Sequence, residues 1–69
     1  MDTVRIEFML VGSKGAVIQN WTTTQTGVEN NPQIYLPRAV DVQDTHTGTN
    51  YARVRIVNEQ TNRIVDILT

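Results

Sequence analysis

The chain has 69 residues, no cysteine, one histidine and a formal net charge of −1, and 39% of its residues are hydrophobic. This length allows a single domain, residues 1–69, with a thin core. The lack of cysteine excludes disulfides and thiolate metal sites, and one histidine leaves a structural zinc ion short of ligands. The slightly acidic balance argues against a nucleic-acid partner.

No stretch of the sequence has the basic and apolar regions of a signal peptide or the roughly 20 apolar residues of a membrane span. We therefore expect a soluble protein made in the cytoplasm, with no membrane partner.

The first strand is predicted from strict alternation. Its apolar side chains fall on one face of an extended chain: Val4, Ile6, Phe8 and Leu10. Arg5 and Glu7 fall on the other face, which is the pattern of a half-buried strand. Residues 12–15 form a glycine-rich turn signal, and residues 16–24 read as the return strand. A tight turn would pair Leu10 with Val17 and Ile6 with Trp21, which places Trp21 in the core.

The middle of the chain is predicted to be loops and short strands. Residues 25–33 read as a polar loop, and residues 34–36 as a strand that Pro37 interrupts. Val40 and Val42 suggest a further strand, followed by a loop over residues 44–50. No helix longer than two turns is predicted.

The last hairpin has the clearest pattern, with strands over residues 51–57 and 63–68. Asn62 tolerates the left-handed backbone that would close the loop. The expected register places Ile56 opposite Val65 and Val54 opposite Ile67 on one face of the hairpin. It places the ion pair of Arg55 and Asp66 on the other face.

These elements together predict an all-β fold, a small five-stranded antiparallel meander curled into a small barrel or a two-layer sandwich. The predicted core consists of apolar residues from the two hairpins: Ile6, Phe8, Leu10, Trp21, Val54, Ile56, Val65 and Ile67.

No catalytic, cofactor-binding or metal site is predicted. Ser13 is the single serine and lies far in sequence from the single histidine, His46, so a serine-histidine pair would have to form across the fold. Asp41, Asp44 and His46 are too sparse for a calcium loop and read as a solvated loop. We expect no enzyme activity, no cofactor and no small-molecule substrate.

The surface is polar but weakly charged. Thr, Asn and Gln outnumber the charged residues, and Lys14 is the only lysine. Such a surface suits a chain packed against neighbours, and its short, Thr- and Asn-rich character is similar to that of small phage virion proteins. The expected function is a non-enzymatic structural or assembly subunit that binds copies of itself or a larger protein assembly, such as a decoration or minor structural protein of a virion.

Two alternatives remain open: a regulatory inhibitor or adaptor that binds one protein, and a small nucleic-acid binder that uses arginines beside an aromatic ring. The candidate protein-binding residues are Tyr35, Arg38, Arg53 and Arg55.

Overall fold

The computed structural model describes residues 2–46 and 51–68, which form one antiparallel sheet of four strands with a helix packed on one face. In chain order the elements are β1 (Thr3–Val11), β2 (Val17–Glu29), α1 (Pro32–Thr45), β3 (Tyr51–Asn58) and β4 (Ile64–Leu68). The all-β prediction is confirmed in part, because the fold is mostly β with antiparallel strands but also contains the helix α1. The fifth strand and the closed barrel are not found among the described residues.

The order of the strands across the sheet is β2-β1-β3-β4. Because β2 and β3 both pair antiparallel with β1, they run parallel to each other with β1 between them. Parallel strands need a long crossover connection, and α1 provides it. The predicted meander is therefore wrong, since β3 pairs with β1 and not with the element that precedes it in the chain.

Helix α1 replaces the two short strands predicted around residues 34–36 and 40–42. Asn31 caps its N-terminus by accepting a hydrogen bond from the backbone N–H of Gln33 at 3.0 Å, and Pro32 follows at a position that needs no N–H donor. Pro37 lies inside the helix, where it removes one backbone hydrogen bond. The fourteen residues of α1 make the prediction of no helix beyond two turns wrong.

The core lies between α1 and the sheet. Its buried members come from both layers: Val4, Ile6, Phe8, Val28, Tyr35, Ala39, Val42, Val54 and Ile56. Leu10 packs against this cluster and is partly buried, while the rings of Phe8 and His46 stack with centroids 4.1 Å apart. Ile6, Phe8, Val54 and Ile56 thus confirm their predicted places in the core.

Three predicted core residues are not in it. Val65 and Ile67 are 41% and 48% exposed, and Trp21 is half-buried on the other face of the sheet. The register explains each error. In the last hairpin Val54 pairs with Leu68, Arg55 with Ile67 and Ile56 with Asp66, with an irregularity next to Val57.

This register is one residue away from the predicted one, and a one-residue slip moves each side chain to the other face. The loop itself follows the prediction, because Asn62 adopts φ of 60°.

The first hairpin differs in a similar way. Leu10 pairs with Gln19 and Phe8 with Thr22, and the β1–β2 ladder contains several bulges. Bulges insert extra residues in one strand, so the simple alternation expected for β2 does not hold. Trp21 consequently points away from α1.

Candidate protein-interaction face

The sheet surface opposite α1, here called the helix-free face, carries the side chains that alternate with the core residues along each strand. Its residues include Arg5, Glu7, Met9, Trp21, Thr23, Tyr51, Arg53, Arg55 and Ile67, together with Glu29 at the end of β2, which pairs with Thr3. Three arginines and two glutamates give these residues a formal charge of +1, in a chain whose net charge is −1.

A carboxylate lies at the centre of the helix-free face. Glu7 is 7% exposed, and its two oxygens accept hydrogen bonds from Arg5 Nε at 3.0 Å and from Arg55 Nε at 2.6 Å. The hydroxyl of Thr23 donates to the same carboxylate at 3.1 Å. Burial by itself would raise the pKa of Glu7, but the hydrogen bonds from the two arginines and from Thr23 outweigh it and hold the pKa below its ordinary value of 4.5.

This cluster joins three of the four strands. The Arg55 guanidinium carbon lies 4.0 Å from the centroid of the Trp21 ring, a cation–π contact. At the other side, Arg5 also donates to the side-chain oxygen of Asn62 in the β3–β4 loop. Trp21, Glu7 and Arg55 therefore hold one another in fixed positions on strands β2, β1 and β3. Side chains fixed in this way lose little conformational entropy when a partner binds.

The cluster is bordered by side chains that are open to solvent. Tyr51 is 53% exposed and Ile67 is 48% exposed. Arg53 is also exposed, next to Tyr51 and Arg55 along the same face of β3. At the β4 edge Ile64 and Val65 are exposed as well. The face thus combines a fixed polar centre with accessible apolar and cationic groups.

The four predicted protein-binding residues fall in three different places. Arg53 and Arg55 lie together on the helix-free face. Arg38 is exposed on α1, on the other side of the sheet, with Gln25 as a hydrogen-bond partner at 3.4 Å. Tyr35 is also part of α1, but its side chain is 3% exposed in the core between the helix and the sheet, and this burial raises its pKa. Arg53 and Arg55 are therefore the pair that the fold brings to one surface.

Sequence reasoning missed the roles of Glu7 and Trp21. Arg55 was expected to face Asp66, whereas it binds the carboxylate of Glu7 and covers the ring of Trp21. The available signal was the placement of Arg5 and Glu7 on the polar face of β1. This placement identifies the ion pair only when β3 is paired with β1, because that pairing puts Glu7 opposite Arg55.

The acidic and histidine side chains that could bind a metal ion lie away from the helix-free face. Within residues 2–46 and 51–68 no group of three or more His, Asp and Glu side chains is arranged to hold a metal ion, and Asp41, Asp44 and His46 lie at the C-terminal end of α1. No helix in the same residues is long and apolar enough to cross a membrane.

Comparison with protein-family models, curated proteins and solved structures found no match to this chain.

Proposed function

We propose that this protein is a non-enzymatic interaction subunit that docks on neighbouring protein chains through its helix-free face. The observation that supports this proposal is the placement of Trp21, Tyr51, Arg53 and Arg55 on one surface. Tryptophan, tyrosine and arginine are enriched among the residues that dominate the binding energy of protein interfaces. Such residues act best when they are held rigidly near the centre of the contact, which is the situation of Trp21 and Arg55.

A protein partner suits this face better than single-stranded nucleic acid. Base stacking uses several open aromatic surfaces along a groove, whereas Arg55 covers one side of the Trp21 ring and leaves Tyr51 as the open ring of this face. Phosphate binding needs free cationic groups, and Glu7 neutralises part of the charge of Arg5 and Arg55. Arg53 is then the cation most available to a partner. A single available cation suits a protein surface with a few carboxylates better than the polyanionic backbone of a nucleic acid.

The proposed role is a subunit of a larger assembly, and the weakly charged Thr-, Asn- and Gln-rich composition extends the proposal to a small virion protein. An inhibitor or adaptor would use the same face on a single partner. Stoichiometry separates the two, because an assembly subunit is present in many copies and an adaptor forms a one-to-one complex.

The proposal is tested by comparing two exposed arginines on opposite sides of the sheet. The full chain is expressed in its native source, crosslinked in the cell and recovered, and the crosslinked protein species are quantified by mass spectrometry. Arg53→Glu should remove most of the crosslinked species, and Arg38→Glu, the matched control on α1, should leave them. Circular dichroism checks that both variants are folded.

Equal recovery from both variants, or loss with Arg38→Glu alone, would contradict docking through the helix-free face. If the crosslinked partner is nucleic acid and not protein, and if Arg53→Glu removes it, the helix-free face binds nucleic acid.

A further inference from the structure

Strand β4 forms an outer edge of the sheet, and its composition favours pairing with a further strand. It is the last strand in the order β2-β1-β3-β4, and Ile64, Val65 and Ile67 are exposed along it. Its sequence, IVDIL, contains neither lysine nor proline, two residues that commonly keep edge strands from pairing. Asp66 is the one charged residue of this strand.

The hydrogen bonds of the last hairpin show which backbone groups of β4 point to the free edge. The N–H of Asn58 donates to the carbonyl of Arg63 at 2.8 Å, so the backbone groups of Asn58 point towards β4. Bonding alternates along an antiparallel strand, and β3 pairs with β1 without a break, so Ile56 also points towards β4. Its partner Asp66 therefore bonds to β3. The next residue, Ile67, directs its N–H and C=O away from β3, to the free edge.

The carboxylate of Asp66 occupies this outward donor. Its Oδ1 accepts a hydrogen bond from the N–H of Ile67 at 2.9 Å, so a donor that an added strand would use already has a partner. Bonds between an aspartate side chain and the neighbouring backbone compete in this way with the ladder of a sheet. A strand that adds to β4 must first break this bond.

Asp66 also lies on the side of the sheet where a charge opposes pairing. It is opposite Ile56, which is fully buried in the core, and directly paired side chains share one face, so Asp66 projects on the α1 side. Consistent with this position, burial and then the negative charge of Asp66 raise the pKa of Tyr35 in α1. An inward-pointing charge is one of the features that protect the edge strands of natural sheets.

The other outer strand, β2, is protected in a different way. Its pairing with β1 is interrupted by several register shifts, and bulges twist an edge strand away from the flat form that another strand could join. Within β2 the side-chain oxygen of Asn20 accepts a hydrogen bond from the N–H of Trp21 at 2.9 Å, the same local contact that Asp66 makes with Ile67. The protection of β4, which is less irregular, therefore depends more strongly on its one acidic side chain.

We propose that Asp66 is a gatekeeper residue that keeps β4 from adding the β4 strand of a second copy of this chain. Antiparallel pairing of β4 with itself about a two-fold axis matches Ile64 with Leu68 and Val65 with Ile67, and it sets the two copies of Asp66 directly opposite each other. Like charges directly opposite are destabilising. The pairing that would match the apolar residues is thus the one that Asp66 prevents. This inference is independent of docking through the helix-free face.

The test is sedimentation velocity of the purified full chain and its variants over a range of concentrations. Asp66→Ala should self-associate at a concentration at least about tenfold lower than wild type, because two backbone donors become free and two like charges are removed. Asp66→Asn keeps an acceptor for the N–H of Ile67 and removes the charge, so it should lie between the two. Asp41→Ala, at an exposed position of α1, is the matched control for loss of one acidic charge and should behave as wild type does.

Amide hydrogen exchange locates the new contact. The N–H of Ile67 in Asp66→Ala should exchange more slowly as the protein concentration is raised, because it enters an intermolecular ladder. Its exchange in wild type should not depend on concentration. Circular dichroism checks that the variants are folded, and Asp66→Asn supplies both comparisons if the alanine variant is unfolded.

The inference is overturned if folded variants of Asp66 associate no more than wild type does, or if Asp41→Ala shows an equal gain, which would assign the effect to net charge. Slower exchange of the Ile67 N–H in concentrated wild type would also overturn it, since β4 would then pair while Asp66 is present. A gain that Arg53→Glu removes, with the Ile67 N–H unprotected, would place the contact on the helix-free face. None of these results decides the crosslinking comparison of Arg53→Glu with Arg38→Glu, so the two proposals fail separately.

Discussion

At the scale of single residues, Phe8 links the two layers of the fold. It is 7% exposed, belongs to the core cluster and stacks on His46 at the end of α1. Phe8→Ala should lower the free energy of unfolding by about 3–5 kcal/mol, through lost burial and the cavity left behind. Urea denaturation followed by circular dichroism measures the change.

Ile67→Ala is the informative comparison for Phe8→Ala, since Ile67 was expected in the core and is about half exposed. Its cost should stay within about 1 kcal/mol, as for surface positions with few contacts. Similar losses for the two variants would contradict the observed register of β4.

Glu7 should make stability depend on pH in a defined direction. Its pKa in the folded protein is held below the ordinary value of 4.5, so the carboxylate stabilises the fold when ionised. That contribution is complete above the ordinary value and is lost as the pH falls through the lowered pKa of the folded state.

Glu7→Gln should therefore cost about 1–3 kcal/mol near neutral pH, because the two arginines lose a charged acceptor. Its unfolding free energy should also fall less than that of wild type between neutral pH and about pH 3. Denaturation curves at several pH values measure both effects. Glu29→Gln, at an exposed position of β2, controls for the loss of one acidic charge. If the unfolding free energy of wild type and both variants changes equally with pH, the pH dependence comes from groups other than Glu7.

At the scale of elements, α1 depends on its N-terminal cap. Asn31 is extended, with φ of −139°, and its side chain satisfies a backbone N–H that has no partner within the helix. Asn31→Ala should cost about 1 kcal/mol of stability, measured by thermal and urea unfolding. Asn31→Asp should keep most of it, since a carboxylate oxygen accepts the same hydrogen bond.

Asn30→Ala is the matched control for the cap, because Asn30 is exposed and its backbone N–H bonds to the carbonyl of Asp2, a bond that alanine preserves. An equal loss at both positions would mean that Asn31 has no special role in starting α1.

At the scale of the whole molecule, charge is divided between the two sides of the sheet. The residues of the helix-free face carry a formal charge of +1 in a chain whose net charge is −1, so the remainder of the chain is acidic. Binding of a protein partner through the helix-free face should weaken as salt is raised, since the Debye length falls from about 10 Å at 0.1 M to about 3 Å at 1 M salt. Recovery of the partner on the immobilised full chain at the two salt concentrations measures this effect.

The thermal midpoint of Arg53→Glu at the two salt concentrations is the control, because it shows whether salt changes the stability of the fold. Binding that grows stronger at high salt would mean that apolar contacts, such as those available to Tyr51 and Ile67, dominate over charge.

The sequence by itself determined the strands whose alternation is strict. Val4, Ile6 and Phe8 on β1, and Val54 and Ile56 on β3, alternate with polar residues, and period two is sufficient to define both a strand and its buried face. Asn62 was also correctly placed, because a left-handed turn residue is a local property of the chain. Helix α1 had a signal too, because Tyr35, Ala39 and Val42 follow the helical spacing and Asn31-Pro32 is a start signal. Pro37 argued against a continuous helix, so residues 34–36 were predicted to be a short strand that this proline interrupts.

Only the tertiary structure decided the partners of these elements. The pairing of β1 with β3 joins strands that are distant in the chain, and local pattern carries no information about it. The register of β4 and the position of Trp21 depend on bulges, where one extra residue exchanges the two faces. The helix-free face exists because α1 covers one side of the sheet and leaves Glu7, Arg55 and Trp21 together on the other.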